Sequence, residues 1–491
     1  MDVVLFNPAP RSGWQAQRRV ELPLSLLCPA TPLDRQGYQV KIIDQFANPD
    51  WNKEFQETLH HKPICFGVTC MTGPQIFRAL EVSQQFRKWH PQVPIVWGGI
   101  HPSLRPAQTL ANPLVDIVVV GEGEVTFPEL IRTLQTDGQL KNVEGIAFKE
   151  NGQIHFTNPR QFVDLNEQRP LSYHLVQMKH YRRQLFGQDH ISFNSSRGCT
   201  FGCVFCWEPA IHKRRWRAME PEVVLSHLKR IIREHHLRGF LFTDDNFFLD
   251  LERAYQILEH IVRANLEISI AKLQIRADTI CELDQDFLQL LVRAGVKRLH
   301  VGVESGSQRL LELLKKGETV AQIIAANRKL IPYPLVPLYL FMMGLPTETT
   351  ADFAESVRLA IKLTTENPKA VKTFNIYTPY PGTELYEMCV KLGLQAPARL
   401  EDWAHFNYRN IPREAHWLNP EMKAMIRALD FPLMFLGKGH FITPYKKTNL
   451  LVQGLSRLYY PLAKYRVQHL WTRFPIESKV VKALGLFGRQ D

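Results

Sequence analysis

The strongest constraint on the fold is an alternation of short apolar segments with amphipathic segments, which occurs in two series along the chain. Each apolar segment has the length of a strand, and each amphipathic segment has the spacing of a helix with one apolar side. Strands that alternate with helices form parallel sheets covered by helices, so the sequence predicts an α/β fold. In the first series we predict strands at 3–6, 40–43, 64–68, 95–97 and 117–120, and a helix at 75–88.

The second series predicts strands at 191–195, 240–243, 268–274, 298–303, 337–342 and 373–376, with helices at 221–235, 251–265, 285–294 and 350–363. Six β-α repeats in about 190 residues are typical of a partial (β/α)6 TIM barrel that is open on one side. We therefore expect a Rossmann-like domain at 1–158, a linker at 159–182, the partial barrel at 183–386, and a basic, mainly helical region at 387–491.

Polar and glycine-rich turns follow the strands of the first series. Ligands of parallel sheets bind at the carboxyl ends of the strands, and glycine lets the backbone approach a bulky ligand closely. Each turn also fits ordinary turn chemistry, so both interpretations stay open. The absence of G-x-G-x-x-G after the first strand disfavours a nicotinamide or flavin dinucleotide. The candidate ligand-binding residues are Asn7, Thr69, Thr72, Gly98, Gly99, Gly121 and Glu122.

Three cysteines follow the first strand of the second series, with the spacing C-x3-C-x2-C. They are Cys199, Cys203 and Cys206, and three thiolates this close can hold one metal centre, for which an iron-sulfur cluster is the favoured interpretation. A zinc site usually has four ligands in paired units, and His212 is the nearby candidate for a fourth. Three unrelated core cysteines are the remaining alternative.

The cysteine motif resembles that of the radical S-adenosylmethionine (radical SAM) superfamily, in which an aromatic residue, here Phe205, precedes the last cysteine. Later segments of the barrel resemble the same family at the ends of successive strands. They are Phe242 to Phe247, Arg276 to Asp278, Val301 to Gly306, Met343 to Thr349 and Thr378 to Thr383.

The first domain resembles the cobalamin-binding domain of a radical SAM subclass that includes the anaerobic magnesium-protoporphyrin ester cyclase, hopanoid methylases and bacteriochlorophyll side-chain methylases. The residues that carry this resemblance are an Asn-Pro after the first strand, Leu22 to Leu26, Gly98 to Pro102 and Gly121 to Glu124. The motif D-x-H-x-x-G, which supplies a histidine ligand to cobalt, is absent, so no histidine is named as a cobalt ligand.

The resemblance implies a 4Fe-4S cluster on the three cysteines, S-adenosylmethionine on its open iron, and cobalamin on the turns of the first domain. It implies that Phe205, Arg276, Glu304 and Gly344 bind S-adenosylmethionine. The activity implied is methylation of an unactivated carbon of a hydrophobic substrate, lipid or tetrapyrrole-like, through a 5'-deoxyadenosyl radical. It also implies an electron donor such as flavodoxin or ferredoxin.

Other functions remain open at this stage. An oxidoreductase or cyclase would use the same cofactors, and a cobalamin or cluster-binding sensor would bind them without turnover. A methylthiotransferase is disfavoured, because Cys28, Cys65 and Cys70 have the wrong spacing for a second cluster.

The basic excess of the chain lies mostly in its last part. The net charge is +12, and residues 431–491 carry +8 of it among ten aromatic residues. We favour an anionic membrane surface as the partner of this tail, with a solvated basic subdomain as the alternative and nucleic acid as an unlikely one. No segment has the apolar length of a membrane span, and the N-terminus lacks the features of a signal peptide. We therefore expect a cytoplasmic protein that binds the inner face of the membrane peripherally.

Overall fold

The computed structural model describes residues 1–9, 20–168, 170–406, 415–435 and 450–473, with the backbone alone for 450–456. The chain forms two compact units. The first contains Met1–Arg182, Tyr380–Gly382 and Gln395–Asn407, and the second contains Arg183–Pro379, Thr383–Leu394 and Tyr408–Asp491. The segment Gln395–Asn407, which the sequence analysis assigned to the C-terminal region, therefore belongs to the first unit. The parts of the basic tail at 436–449 and 474–491 lie outside the described residues.

The first unit is built on one sheet with the strand order β2-β1-β3-β4-β5-β6-β7. The strands from β2 to β5 are parallel, and β6 and β7 extend the sheet as an antiparallel hairpin. The strands are β1 Val3–Asn7, β2 Val40–Asp44, β3 Cys65–Thr69, β4 Ile95–Gly98, β5 Ile117–Val119, β6 Ile146–Glu150 and β7 Gln153–Phe156. The helices are α1 Leu24–Arg35, α2 Trp51–Thr58, α3 Gln75–Trp89, α4 Ile100–Leu104, α5 Pro106–Ala111 and α6 Gly123–Gln135.

The parallel strands of this sheet are apolar along their length because both faces of the sheet are covered. All five residues of β3 are buried, and Val3, Val4 and Phe6 of β1 are fully buried. The pairing of Val3 with both Val40 and Cys65 sets the register at the centre of the sheet. As a result, Asn7, Asp44 and Thr69 end their strands at the same edge.

The second unit contains a sheet with the order β16-β15-β14-β13-β12-β9-β8, in which β9 to β16 are parallel and β8 is antiparallel to β9. The predicted α/β class and partial barrel are confirmed. Its strands are β8 Arg183–Leu185, β9 Gln188–Phe193, β12 Gly239–Phe242, β13 Ser269–Ile275, β14 Arg298–Glu304, β15 Val336–Met343 and β16 Val371–Ile376, and the small strands β10 Ser196–Arg197 and β11 Arg217–Ala218 pair with each other.

The helices of this unit cover the barrel strands with their apolar sides. Side-chain N-caps start several of them, and Thr319 and Thr349 each form a capping box. The helices are α7 Glu208–His212, α8 Pro221–His235, α9 Leu251–Arg263, α10 Ala277–Glu282, α11 Gln285–Arg293, α12 Gln308–Leu313, α13 Val320–Lys329, α14 Thr350–Glu366, α15 Glu384–Lys391, α16 Pro420–Leu433 and α17 Leu450–Gln468.

Helices α16 and α17 pack against each other beyond the barrel strands. Tyr459 of α17 lies between the rings of Phe431 and Phe435, at centroid distances of 5.6 and 4.7 Å. Among the described residues, every helix is too short or too polar to cross a lipid bilayer.

Candidate functional site

The three cysteines lie in one loop between β10 and α7. Backbone hydrogen bonds fix this loop on both sides, because the Val204 amide donates to the Leu314 carbonyl (3.1 Å) and the Val204 carbonyl accepts from the Leu385 amide (2.9 Å). The Cys206 amide also donates to the Cys203 carbonyl, at 3.1 Å. All three cysteines have free thiols and are half-buried. The loop therefore holds three half-buried thiols on a fixed backbone, and Cys203 lies close enough to act electrostatically on Cys199 and Cys206.

Burial and mutual repulsion disfavour negative charge on the three thiols. Burial raises the pKa of all three thiols, to about 12 for Cys206, and negative charge on Cys203 further raises the pKa of the other two. Three adjacent thiolates are thus costly in the absence of a positive partner, and iron offsets that cost because it binds the thiolate form. A fourth protein ligand is not needed, since a 4Fe-4S cluster held by three cysteines leaves one iron open.

Two of the predicted S-adenosylmethionine residues, Arg276 and Glu304, belong to one buried charge network beside Cys203. The Lys316 ammonium lies 3.7 Å from the Glu304 carboxylate and 3.3 Å from that of Glu318. Arg276 forms a two-pronged pair with Asp278 at 2.7 and 3.0 Å and donates to the Lys316 carbonyl at 2.9 Å. The network thus joins the loop after β13 to the end of β14 and to the segment between α12 and α13.

The network acts on Cys203 with both signs of charge. Burial raises the pKa of that thiol, Lys316 and Arg276 lower it, and Glu304 and Glu318 raise it. Burial also raises the pKa of Glu304, which Lys316 partly offsets. A ligand with an ammonium and a carboxylate can pair with such a network at both ends.

Lys316 and Glu318 were not predicted from the sequence. Both lie in the short segment between α12 and α13 and are buried, and the Glu318 carboxylate accepts the amides of Ala277 and Asp278 at the start of α10. The sequence places a lysine and an acid on either side of Gly317, in a loop after a barrel strand. That pattern alone does not distinguish a buried ion pair from a turn exposed to solvent.

Phe205 and Gly344 occupy separate parts of the barrel loops. Phe205 is half-buried between Val204 and Cys206. Gly344 follows β15 with φ +84°, its amide donates to the Glu348 carboxylate (2.5 Å), and its carbonyl accepts from the Trp417 indole (3.0 Å). The conformation of Gly344 is therefore fixed by its neighbours, and the roles of both residues in binding remain predictions.

The loop after β12 supports the cysteine loop with two acids. Asp244 is fully buried and accepts the hydroxyls of Ser195 and Ser196, each at 2.6 Å. Asp245 accepts the Gly198 amide at 2.9 Å. Burial and the adjacent Asp245 raise the pKa of Glu208 to about 9. Asp244 and Asp245 thus hold the backbone just before the cysteines.

In the first unit, the candidate residues lie along the carboxyl edge of the sheet. Asn7 hydrogen-bonds Asp44 at the ends of β1 and β2, and the Asp44 carboxylate accepts the Tyr181 hydroxyl at 2.8 Å. Thr69 ends β3 and donates to the Ser25 hydroxyl at 3.1 Å. This part of the edge is thus formed by neutral side chains around one buried acid.

The next turns of this edge pack closely on one another. Gly98 pairs with Thr69 at the ends of β4 and β3, and Gly99 has φ +95°, where a Cβ would lie 2.8 Å from the Cys70 carbonyl oxygen. Thr72 is buried and its hydroxyl lies 2.9 Å from Nδ1 of His101. The two turns therefore leave no room for a side chain at Gly99.

Gly121 and Glu122 differ in their surroundings. Gly121 is exposed, with φ +84°, and its amide donates to the Ser103 hydroxyl at 2.9 Å. The Glu122 carboxylate accepts the Val163 amide at 3.0 Å, so it holds the segment after β7. Cobalamin binding by either residue remains a prediction.

His101 was not among the candidates, although the Gly-Gly-Ile-His-Pro segment was noted. It is fully buried, and among the described residues its Nε2 has no hydrogen-bond partner. Its ring packs on Trp403 at 5.5 Å, and the Trp403 indole donates to Gln108 at 2.6 Å. The segment that returns to the first unit at 395–407 thus covers this turn.

Comparisons with known proteins match both units. A model of the radical SAM superfamily matches residues 193–360, and a model of the B12 binding domain matches residues 19–131. These are the regions in which the motifs resembled the same two families.

Individual relatives span most of the chain. It is 31% identical over 362 residues to an uncharacterized methyltransferase of Pyrococcus horikoshii, covering 72% of this chain and 76% of the relative. It is 28% identical to the anaerobic magnesium-protoporphyrin IX monomethyl ester cyclase of Synechocystis, covering 79% of this chain and 77% of the relative. The fold is similar to that of the radical S-adenosylmethionine methyltransferase TsrM from Kitasatospora setae, with a TM-score of 0.69, 18% identity, and coverage of 95% and 100%.

Proposed function

The chain belongs to the cobalamin-dependent radical SAM enzymes, and from this membership we propose that it methylates an unactivated carbon of a hydrophobic small molecule. In this proposal residues 1–158 bind cobalamin, residues 183–386 hold the cluster and S-adenosylmethionine, and residues 387–491 contribute to substrate binding and surface docking. The cofactors of such an enzyme are a 4Fe-4S cluster, S-adenosylmethionine and cobalamin.

The observation that carries the proposal is the cysteine loop with the charge network of Arg276, Glu304 and Lys316 beside Cys203. When bound, the cofactors supply a 5'-deoxyadenosyl radical and a transferable methyl group, chemistry that side chains alone do not provide. The chain itself contributes three thiolates, and it contributes opposite charges that can orient the amino and carboxylate groups of S-adenosylmethionine.

Exclusion of water is a second contribution of the chain. Lys316 and Glu318 are almost fully buried, as is Arg276, so the charge network operates in a low-dielectric environment in which its interactions are strong. The same burial makes the network sensitive to loss of any one member, because an unpaired charge would remain in the interior.

Anaerobic reconstitution tests the proposal directly. The chain is loaded with iron, sulfide and hydroxocobalamin, and its optical spectrum is recorded after removal of unbound cofactors. We expect cluster absorbance together with corrinoid bands, and 5'-deoxyadenosine after addition of S-adenosylmethionine and dithionite. A spectrum without corrinoid bands would remove methyl transfer from the proposal.

An oxidoreductase or cyclase is the second candidate, because one relative is the magnesium-protoporphyrin ester cyclase. Both activities would form 5'-deoxyadenosine. They differ in the fate of the methyl group, so S-adenosylmethionine labelled at that group distinguishes them once a substrate is found. A labelled product indicates methyl transfer, and an unlabelled oxidised product indicates the cyclase type of reaction.

Radical SAM enzymes act on small molecules and need a reductant. We propose that the reductant is a flavodoxin or ferredoxin and that the substrate is a lipid or a tetrapyrrole-like molecule. Similarity to the protoporphyrin ester cyclase supports a large hydrophobic substrate.

We further propose that α17 binds the inner membrane surface. Leu458, Leu462 and Tyr465 are 79%, 43% and 53% exposed, and their spacing aligns them on one side of the helix. Arg457 and Lys464 are exposed nearby, and residues 457–473 contain no acid. An exposed apolar stripe with flanking bases is typical of a helix that lies in an anionic lipid interface.

Liposome flotation tests this membrane contact. We expect the wild type to float with phosphatidylglycerol vesicles and the double variant Leu458→Asp and Leu462→Asp to stay in the dense fraction. The matched control is Ile331→Asp with Leu392→Asp, which changes two exposed apolar residues elsewhere in the same unit, 39% and 41% exposed. Equal flotation of the wild type and the α17 variant would contradict the membrane role.

A further inference from the structure

The turn that follows α7 carries three consecutive bases, Lys213, Arg214 and Arg215, and it packs directly on the cysteine loop. A Cβ at Gly198, the residue before Cys199, would collide with the carbonyl oxygen of Arg215. At Gly202, the residue before Cys203, a Cβ would lie 2.9 Å from the Arg214 guanidinium. The basic turn therefore contacts the cysteine loop on both sides of Cys199.

The backbone of this turn is held in an unusual conformation. Lys213 and Arg214 have φ of +54° and +56°, and each left-handed residue that is not glycine costs about 1 kcal/mol or more. The Arg215 amide closes the turn by donating to the His212 carbonyl at 2.9 Å. Two adjacent left-handed residues persist only where the surroundings fix them, so the bases occupy a defined position.

The charges of the turn face solvent without acidic partners. All three side chains are exposed, and within the described part of the chain none forms an ion pair. Among the residues that the structure describes, the Lys213 ammonium donates to the carbonyl of Ala210 alone, at 2.8 Å. Three positive charges are thus available to a partner at the surface of the cysteine loop.

An exposed aromatic residue lies in the same loop. Phe201, between Cys199 and Cys203, is 37% exposed, and the Arg276 guanidinium lies 3.8 Å from its ring centroid. Aromatic residues and arginine are both enriched in protein-protein contacts, so Phe201 beside the basic turn is suited to such a contact.

We propose that Phe201 and the basic turn 213–215 form the docking surface for an acidic electron-carrier protein that reduces the cluster. This inference rests on the proposed function. The carrier is oxidised by one electron, the cluster held by the three cysteines is reduced by that electron, and no bond forms or breaks. A basic surface that contacts the cluster loop draws an acidic carrier to the place where electron transfer is shortest.

Binding of a carrier tests the surface without relying on turnover. Oxidised flavodoxin is titrated calorimetrically into the cluster-loaded wild type and into the triple variant Lys213→Glu, Arg214→Glu, Arg215→Glu. We expect binding to the variant to be about tenfold weaker or more, and the difference to shrink at high salt. The matched control, Lys229→Glu, Lys297→Glu, Lys391→Glu, reverses three other exposed lysines of the same unit and should bind like the wild type.

A second variant guards against misfolding of the turn. Lys213→Asn, Arg214→Asn, Arg215→Gln removes the charges but places asparagine, which tolerates left-handed φ, at the two strained positions. We expect weakened binding with unchanged thermal unfolding. Binding equal to that of the wild type in either turn variant, or no binding of flavodoxin to the wild type, would overturn the docking surface.

Dithionite separates this inference from the proposed function. A small reductant needs no docking surface, so the turn variants should form 5'-deoxyadenosine at the wild-type rate with dithionite and several times more slowly with reduced flavodoxin. If the wild type forms none with dithionite, the proposed function fails, whatever the flavodoxin binding shows.

Discussion

The two candidate sites of this protein differ in the interactions that form them, which are charge pairs in the barrel and close packing of mostly neutral groups in the first unit. Beside Cys203 the barrel holds five interacting charged groups, of which Arg276, Lys316 and Glu318 are buried and Asp278 and Glu304 are half-buried. The carboxyl edge of the first sheet offers threonines, glycines and closely packed turns around the buried acid Asp44. The candidate site in the barrel is built on charge, and the candidate site in the first unit is built on close packing.

This difference determines how each site should respond to substitution. A charge network fails when one member is lost, since its partners keep their desolvation cost. A packed edge fails when an atom is added, because close contact leaves no volume for it. Four substitutions test this contrast.

Cys203→Ala should have the largest effect on function. It removes one of three cluster ligands and the thiol nearest the charge network, so we expect loss of cluster iron and no detectable 5'-deoxyadenosine. Iron content and product formation are measured together after anaerobic reconstitution. Cys281→Ala, which removes a half-buried cysteine elsewhere in the same unit, is the control. Continued 5'-deoxyadenosine formation by Cys203→Ala would refute the cluster assignment and favour a different role for the loop.

Lys316→Met should have the largest effect on stability. It leaves the half-buried Glu304 without its cation and leaves Glu318 with the more distant Arg276, at 4.0 Å, which costs about 3–5 kcal/mol of unfolding free energy. Lys315→Met is the matched control one residue away, because Lys315 is 59% exposed and pairs with the exposed Glu384. Such a surface pair contributes less than about 1 kcal/mol. If urea denaturation shows the same loss of unfolding free energy for Lys316→Met and Lys315→Met, the charges of the network do not depend on one another.

The sequence predicted the parts of both sites that depend on local order. The parallel strands were recognisable because strands buried on both faces are apolar along their length. The cysteine loop was recognisable because its three cysteines are close in sequence. The hairpin of β6 and β7 was missed although Asn151-Gly152 marks it, with φ of +50° and +78°. The hairpin of β8 and β9 turns at Phe186-Gly187, for which the sequence gives a weaker signal.

Features that depend on long-range packing could not be predicted. Lys316 meets Glu304 only when the segment after α12 folds back over the end of β14, and no periodicity encodes that contact. Trp403 donates to Gln108 across 295 residues of sequence, so the return of 395–407 to the first unit had no local signal. Burial of His101 under Trp403 follows from the same contact.

Gly99→Ala tests the packed edge of the first unit. Its φ of +95° is strained for alanine, and the added Cβ would lie 2.8 Å from the Cys70 carbonyl oxygen, so we expect a loss of about 2–3 kcal/mol and weaker cobalamin binding. Gly121→Ala is the control, since it also has positive φ but open space at the Cβ, and should cost about 1 kcal/mol. Corrinoid absorbance after gel filtration measures binding. Equal effects would mean that backbone strain, rather than lack of volume, determines the response.

His101→Gln should have the smallest effect near neutral pH, and its consequence should appear as a change in the pH dependence of stability. Burial, with Arg105 nearby, lowers the pKa of His101 from its ordinary value of 6.5 to about 3. The folded protein therefore keeps this ring neutral while the unfolded chain takes up a proton, so the ring's contribution to stability is present above pH 6.5 and is lost as the pH falls toward 3. The loss is at most about 1.4 kcal/mol per pH unit. Glutamine does not titrate, so the unfolding free energy of the wild type should decrease more steeply than that of the variant across this range. If the two proteins lose unfolding free energy equally as the pH falls, acid exposes His101 before the first unit unfolds. The packing of Trp403 on His101 would then be less stable than the packing around the charge network.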